Sequence, residues 1–209
     1  MAAFLARPLR QALTASAIVW PARTKDGDAP WAKPAHLRAV RVAVGAKSAD
    51  FWTTDGTMLA RLTVPLVGPA SEPFEIIIGP ASTKRLLDLS AKLSPTAEVS
   101  IDSSRVARIG KAMRWRMPKP RGDVRLPDAS ACAELMRIEQ YGPRVDAIGF
   151  RVALVARAMR VAEAVGVEIL RVESFGERDP VFVTDDADGS FTLIVMPSVL
   201  NERPAKAVA

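Results

Sequence analysis

Trp52-Thr53-Thr54-Asp55-Gly56-Thr57-Met58-Leu59-Ala60 decides how the rest of the chain is read. Asp55-Gly56 sits between two alternating apolar/polar runs, Ala49 to Thr54 and Met58 to Val64. Such a dipeptide is a strong hairpin signal, because glycine adopts left-handed backbone without steric cost. Leu37 to Val44 supplies a further alternating run upstream. Ahead of it, residues from about Pro8 to Val19 repeat at helical spacing. Leu9, Ala12, Leu13 and Ser16 share one face, and Arg7, Arg10, Gln11 and Thr14 the other. Pro8 suits a first helical turn. A Pro-rich loop from Pro21 to Pro34, carrying Arg23, Lys25 and Lys33, joins helix to strands. One helix followed by alternating strands is the first unit.

The order recurs twice. Phe74 to Ile78 reads as a strand and Gly79-Pro80 as punctuation. Ser82 or Thr83 is expected to cap a helix reaching about Leu93. Leu86, Leu89 and Leu93 form its buried face, with Lys84, Arg85, Asp88 and Lys92 opposite. Strands Glu98–Asp102, Arg105–Ile109 and Lys111–Met117 follow. Pro127 to Val145 shows no clear pattern. A third helix, Arg151 to Ala164, is expected to pack through Val152, Val155, Ala156 and Met159. Arg157 and Arg160 point away from that stripe, Arg151 flanks it, and Gly166 ends the helix. Strands Glu168–Glu173, Pro180–Thr184 and Phe191–Met196 complete the unit, and Asn201 to Ala209 forms a frayed tail. The fold class is therefore α+β, with repeated helix-plus-antiparallel-strands units that bury one another's edges.

Composition narrows the function. The 209 residues are 49% hydrophobic and 25% charged, an ordinary globular balance with a core large enough to need no staples. A single cysteine, Cys132, excludes an internal disulfide framework and suits a reducing compartment. No apolar run reaches the roughly 20 residues needed to span a bilayer, and the N-terminus lacks the layout of a secretory signal. One histidine, His36, in a basic Pro-rich stretch, leaves no material for a nucleophilic triad or a zinc site. Neither enzyme, metal nor cofactor is expected. Asp185, Asp186 and Asp188 before Gly189 lack the glutamate that closes a calcium loop at its twelfth position, so they read as a turn. Arg121-Gly122-Asp123 also reads as a turn. The net charge of +6 favours a polyanionic partner, nucleic acid above all. All three helices carry cations on the face opposite their stripe, with Asp88 the one clear acid there.

Taken together these residues resemble bacterial sliding clamps, the β subunit of DNA polymerase III. Trp52 to Ala60 resembles a strand-turn-strand signature of the clamp's middle domain, and Glu75-Ile-Ile-Ile-Gly-Pro-Ala-Ser-Thr-Lys-Arg-Leu-Leu87 the opening of that domain's second half. Arg125-Leu-Pro-Asp128 is similar to the linker leaving it, and Leu193-Ile-Val-Met-Pro-Ser-Val-Leu200 to the clamp's closing segment. The resemblance covers most of 5–127 and 146–200. It implies a complete clamp domain over 1–127, built of units 1–70 and 72–127. A connecting segment, 128–145, a single half-domain, 146–200, and a tail, 201–209, follow.

The resemblance further implies a cytoplasmic, nucleoid-associated replication protein that encircles duplex DNA, with strands as outer wall and helices lining the bore. Arg7, Arg10, Lys84, Arg85, Lys92, Arg151, Arg157 and Arg160 become candidate DNA contacts, each also readable as an ordinary solvated cation. A partner-peptide pocket, carried over by position, takes Thr54, Gly56, Leu59, Leu126, Pro127, Val195, Met196 and Pro197; the plain alternative puts Leu59, Val195 and Met196 in the core. Partners implied are double-stranded DNA, a DNA polymerase, other proteins bearing clamp-binding peptides, and a clamp loader, with no membrane. The family's rings hold twelve units, so three units per chain would need four chains. Two alternatives stand beside this: a clamp-like adaptor or decoy that encircles nothing, and a plain basic DNA-binding protein.

Overall fold

The computed structural model describes residues 1–20, 38–110, 113–120, 126, 129–137, 150, 152–176, 179–185 and 189–196. The chain opens with a strand not foreseen, β1 (Ala2–Leu5), and passes directly into α1 (Ala6–Val19). The helix therefore starts two residues before Pro8, which occupies its first turn, where a missing N–H costs nothing. Its stripe is as the spacing required: Leu9, Ala12, Leu13 and Ser16 are buried, joined by Ala15 and Val19. Strands β2 (Val40–Val44), β3 (Ser48–Thr54) and β4 (Met58–Pro65) follow, and the Asp55–Thr57 turn joins the last two. Gly56 in that turn has φ of 86°. The loop from Pro21 to Pro34, with Arg23, Lys25, Lys33 and His36, lies outside the described residues.

The second unit runs β5 (Phe74–Ile78), α2 (Pro80–Ser90), β6 (Glu98–Ile101), β7 (Val106–Ile109) and β8 (Met113–Arg116). Neither Ser82 nor Thr83 caps α2. Gly79 is the N-cap and Pro80 takes the first helical position, which its fixed φ favours, so both hydroxyls fall inside the helix. Thr83 Oγ1 donates to the Gly79 carbonyl at 3.2 Å. The helix ends at Ser90, short of Leu93. Arg105, expected to open β7, stands outside it with φ of 61°.

The interval without pattern contains α3 (Ala129–Leu135). The third unit is α4 (Val152–Val165), β9 (Leu170–Glu173), β10 (Val181–Asp185) and β11 (Phe191–Val195). Gly166, with φ of 82°, ends α4 as expected: the Val167 N–H reaches the Ala162 carbonyl at 3.1 Å, closing a Schellman-type cap. The packing stripe expected for α4 is wrong. Val152, Val155, Ala156 and Met159 are all exposed, and the buried positions are Ala158, Val161 and Ala162, with Leu154 and Val165 partly buried beside them. Apolar residues occupy nearly every side of this helix, so spacing alone cannot choose a face. Contact with α1 and β11 chooses it instead.

Two antiparallel sheets result. A four-stranded sheet runs β1-β6-β7-β8, and a seven-stranded sheet β5-β2-β3-β4-β11-β10-β9. β1 leaves its own unit to pair with β6, Ala2 opposite Ile101 and Leu5 opposite Glu98. Phe4 of the small sheet meets Phe51 of the large one edge-on at 5.9 Å between ring centres, a contact contributing about 0.5–1.5 kcal/mol beyond burial. The third unit joins the first through β4 and β11, Met58 opposite Val195 and Leu62 opposite Phe191. Two further bonds continue that seam at either end: Thr63 N–H to the Ser190 carbonyl and Met196 N–H to the Thr57 carbonyl. α1 packs against α2, α4, β3 and β4, so the three long helices form one layer with α1 in the middle.

Candidate functional site

The helix layer gathers most of the candidate DNA contacts. Arg7 is exposed and Arg10 half-buried on α1; Lys84 and Arg85 are exposed on α2, Lys92 is exposed just beyond it, and Arg160 is exposed on α4. Arg85 also lies over the Trp115 ring of β8, 4.7 Å from its centre, which holds the guanidinium in place without covering it. Two exposed acids, Asp88 and Glu163, share these helices. An array of solvated cations on helices suits phosphate contact. Arg151 lies outside the described residues.

Arg157 departs from this group. Its guanidinium ion-pairs with Asp55 of the β3–β4 turn, with side-chain exposures of 17% and 0%. The other Asp55 carboxylate oxygen accepts three bonds from its own turn, from Thr57 N–H (2.8 Å), Thr57 Oγ1 (2.8 Å) and Met58 N–H (2.9 Å). Asp55 is thus a turn former and the acceptor that ties α4 to the first unit. A buried carboxylate with this many donors is stable as an anion, and loss of its cationic partner costs about 3–5 kcal/mol. Sequence spacing read Arg157 as solvated because its partner lies on a different unit.

The carried-over pocket residues divide between two faces of the seven-stranded sheet. Val195 faces the helices and belongs to the main core, in line with the plain alternative for that residue. Leu59 faces the opposite side. Thr54 is buried and its hydroxyl donates to the Met58 carbonyl at 2.8 Å. Gly56 is exposed, and Met196, 43% exposed, stands beside the turn through its bond to Thr57. Leu126 is buried, and its carbonyl accepts from Arg41 Nη2 at 2.9 Å. Pro127 and Pro197 lie outside the described residues. Thr54, Gly56, Leu59 and Met196 therefore share one corner.

Spacing missed what covers that corner. Register sets Thr54, Leu59, Ile194 and Phe182 in one cross-strand row on the sheet's outer face. Trp52 and Arg61 form the adjacent row, with the guanidinium 5.9 Å from the ring centre. Trp52, Leu59, Phe182 and Ile194 form a second apolar cluster with Cys132 of α3 and with Phe175, and Met136 packs against it. Phe175 meets Phe182 edge-on at 5.9 Å. The one signal was that alternation placed Trp52 and Leu59 opposite the core-facing Phe51 and Met58, leaving two large apolar groups in need of cover.

Among the described residues no group of three or more His, Cys, Asp or Glu side chains could hold a metal ion, and no helix is long and apolar enough to cross a membrane. A wide cleft of about 1030 Å³, lined by Glu75, Arg105, Arg116, Met117 and Lys119 among others, opens at the β5 edge, away from the helix layer. Burial raises the Asp102 carboxyl, but bonds from Val106 N–H (2.9 Å) and Ser104 Oγ (2.7 Å) outweigh it and hold the group below its ordinary 3.8.

No family model and no curated protein matches this sequence. Solved structures do. The DNA polymerase sliding clamp of Bacillus subtilis superposes with a TM-score of 0.63 at 13% identity, covering 96% of this chain and 64% of that one. The putative DNA polymerase III β subunit of Eubacterium rectale gives 0.65 at 11%, covering 94% and 64%. That of Thermotoga maritima gives 0.63 at 10%, covering 98% and 65%. The chain spans just under two thirds of the length of these structures. It has the sliding clamp fold.

Proposed function

We propose that this chain is a member of the sliding clamp family, a non-catalytic processivity factor that encircles duplex DNA and tethers a polymerase. The observation that carries the reading is the helix layer: in a chain of clamp fold, α1, α2 and α4 stand side by side and present Arg7, Arg10, Lys84, Arg85, Lys92 and Arg160. Loose phosphate contact by such side chains permits sliding, and topology rather than affinity supplies retention. Arg157 leaves the set, because its guanidinium serves Asp55. The cytoplasm, with nucleoid association, is the compartment this role requires.

A closed ring needs further units, and the third unit has the surface to receive one. Val152 is 83% exposed on α4, and Ile169 and Val172 are 67% and 58% exposed at β9, the edge of the large sheet. Apolar surface beside a sheet edge is what monomers avoid and interfaces use. At the other end of the chain's helix layer, β8 ends the small sheet with exposed Arg114 and Arg116, complementary in sign to exposed Glu163 and Glu168. Joined in this way, four copies of three units complete twelve.

Retention on DNA tests the reading. Loaded on closed circular DNA, a ring stays bound at high salt and is released when the circle is linearised. Equal salt-sensitive loss from circle and line would leave an electrostatic binder, and absence of any binding would leave a clamp-like adaptor that carries the docking corner alone.

A further inference from the structure

We propose that the outer wall of this chain carries a second nucleic-acid site, which takes a single strand along the small sheet and into the cleft at the β5 edge. Reading the helix layer as the duplex contact leaves a second group of cations without a task. Ala107 and Ile109 of β7 and Trp115 of β8 pack into the main core. Alternation therefore turns Arg108, Arg114 and Arg116 to the opposite face, and all three are exposed. Past the ends of these strands, exposed Lys119 and half-buried Arg105 join Arg116 in lining the cleft. The acids nearby are Glu98 and Asp102 on the small sheet's side and Glu75 in the cleft, which Arg41 already holds. None of the five cations makes an ion pair among the described residues.

Register makes this excess costly. Arg108 stands directly opposite Arg114, a like-charge cross-strand pair that destabilises a sheet until an anion lies over it. Arg105 is held at φ of 61°, a left-handed conformation that few residues other than glycine adopt. Its carbonyl accepts the Met117 N–H at 2.8 Å, which anchors it beside the segment carrying Arg116 and Lys119. Guanidinium groups grip phosphate through two parallel bonds, and their planes stack on unpaired bases. Ile77, Pro118 and Pro120 give the cleft an apolar wall on which a base can lie. At about 1030 Å³ the cleft admits a few nucleotides of one strand and not a duplex. Arg114 and Arg116 also border the β8 edge assigned above to the ring joint, so the site is tested through Arg105, Arg108 and Lys119. It goes beyond the clamp reading and needs no ring.

The probe is a fluorescein-labelled oligothymidylate of about 15 nucleotides, open-ended and so beyond retention by a ring. Its binding to the full chain is followed by fluorescence anisotropy. One variant combines Arg105→Gly, Arg108→Ala and Lys119→Ala; glycine keeps the φ of 61° without strain, and the other two side chains are exposed. A second combines Arg7→Ala, Lys84→Ala and Arg160→Ala on the helix layer. The first should bind at least ~10-fold more weakly than the native chain, and its log Kd against log salt slope should fall by about 2, since each lost phosphate contact removes about 0.7. The second should change affinity less than ~2-fold. Equal weakening by both, or a larger loss from the helix-layer variant, would overturn the proposal, because the strand would then lie along the helices. So would an absence of binding by the native chain at about 100 μM and about 50 mM salt. Displacement of the strand by polyglutamate at equal charge would also overturn it, and would assign the face to an acidic protein segment. Duplex retention on closed circles is a separate measurement, so failure of the ring and failure of the outer site are separate results.

Discussion

α1 and α4 are both fourteen residues long and both cross the same face of the large sheet, yet they are treated differently. α1 buries seven residues, whereas α4 buries three among its described side chains and leaves Val152, Val155 and Met159 in solvent. The difference does not lie in hydrophobic content, since α4 is the more apolar of the two in sequence. It lies in neighbours: α1 has α2 on one flank and α4 on the other, and α4 has only α1 among the long helices. A helix in this fold is finished by two flanking units, and the third unit has one.

The sharpest way to break the comparison is to cut what holds α4 to the first unit. Arg157→Ala leaves the Asp55 carboxylate buried without its cation, and a loss of about 3–5 kcal/mol in urea unfolding is expected. A loss below about 1 kcal/mol would mean that the turn's own N–H and hydroxyl donors suffice for Asp55. Next comes a matched pair of truncations. Leu13→Ala on α1, at a fully buried site, should cost about 2–5 kcal/mol, and Met159→Ala on α4 should stay within about 0.5 kcal/mol in the isolated chain.

Val155→Asp sharpens the contrast from the other side. Its melting temperature as a monomer should be unchanged, while native mass spectrometry should lose the four-copy species expected of the unsubstituted chain. A four-copy particle that survives the aspartate would move the interface away from α4. The smallest effect belongs to Asp102. Its folded-state carboxyl lies below its ordinary 3.8, so the stability it contributes is present above that value and is lost as pH falls through the lower folded one. Asp102→Asn removes this increment, and its acid unfolding curve should be shallower than that of the unsubstituted chain at pH below 3.8.

Strands and turns were legible because their causes are local. Asp55-Gly56 closed the hairpin where it stood, and the runs on either side of it alternate as strands do. What stayed hidden depends on partners far along the chain. β1 is only Ala-Ala-Phe-Leu, too short for a period to show. α3 is a short, Ala-rich run whose cause is the apolar row beneath it, not its own sequence. α4 is apolar on nearly all sides, so the choice of face fell to α1 and β11. Arg157 looked like any solvated cation until Asp55 was placed opposite it. For the candidate site this means that the cationic helix faces were readable, whereas the apolar cover over the outer face of the large sheet was not.

The swap of β1 into the second unit's sheet also governs how the protein comes into being. Ala2 has no ladder partner until Ile101 has been synthesised, so β1 waits unpaired while the rest of the first unit, β5 and α2 are made. Such non-local closure slows folding and prolongs the exposure of unpaired strand edges. It also makes the two leading units one heritable piece: a gene cut between them would strand β1 in one fragment and β6 in the other. The third unit is different: a cut at the β4–β11 seam would separate it without breaking a swapped strand.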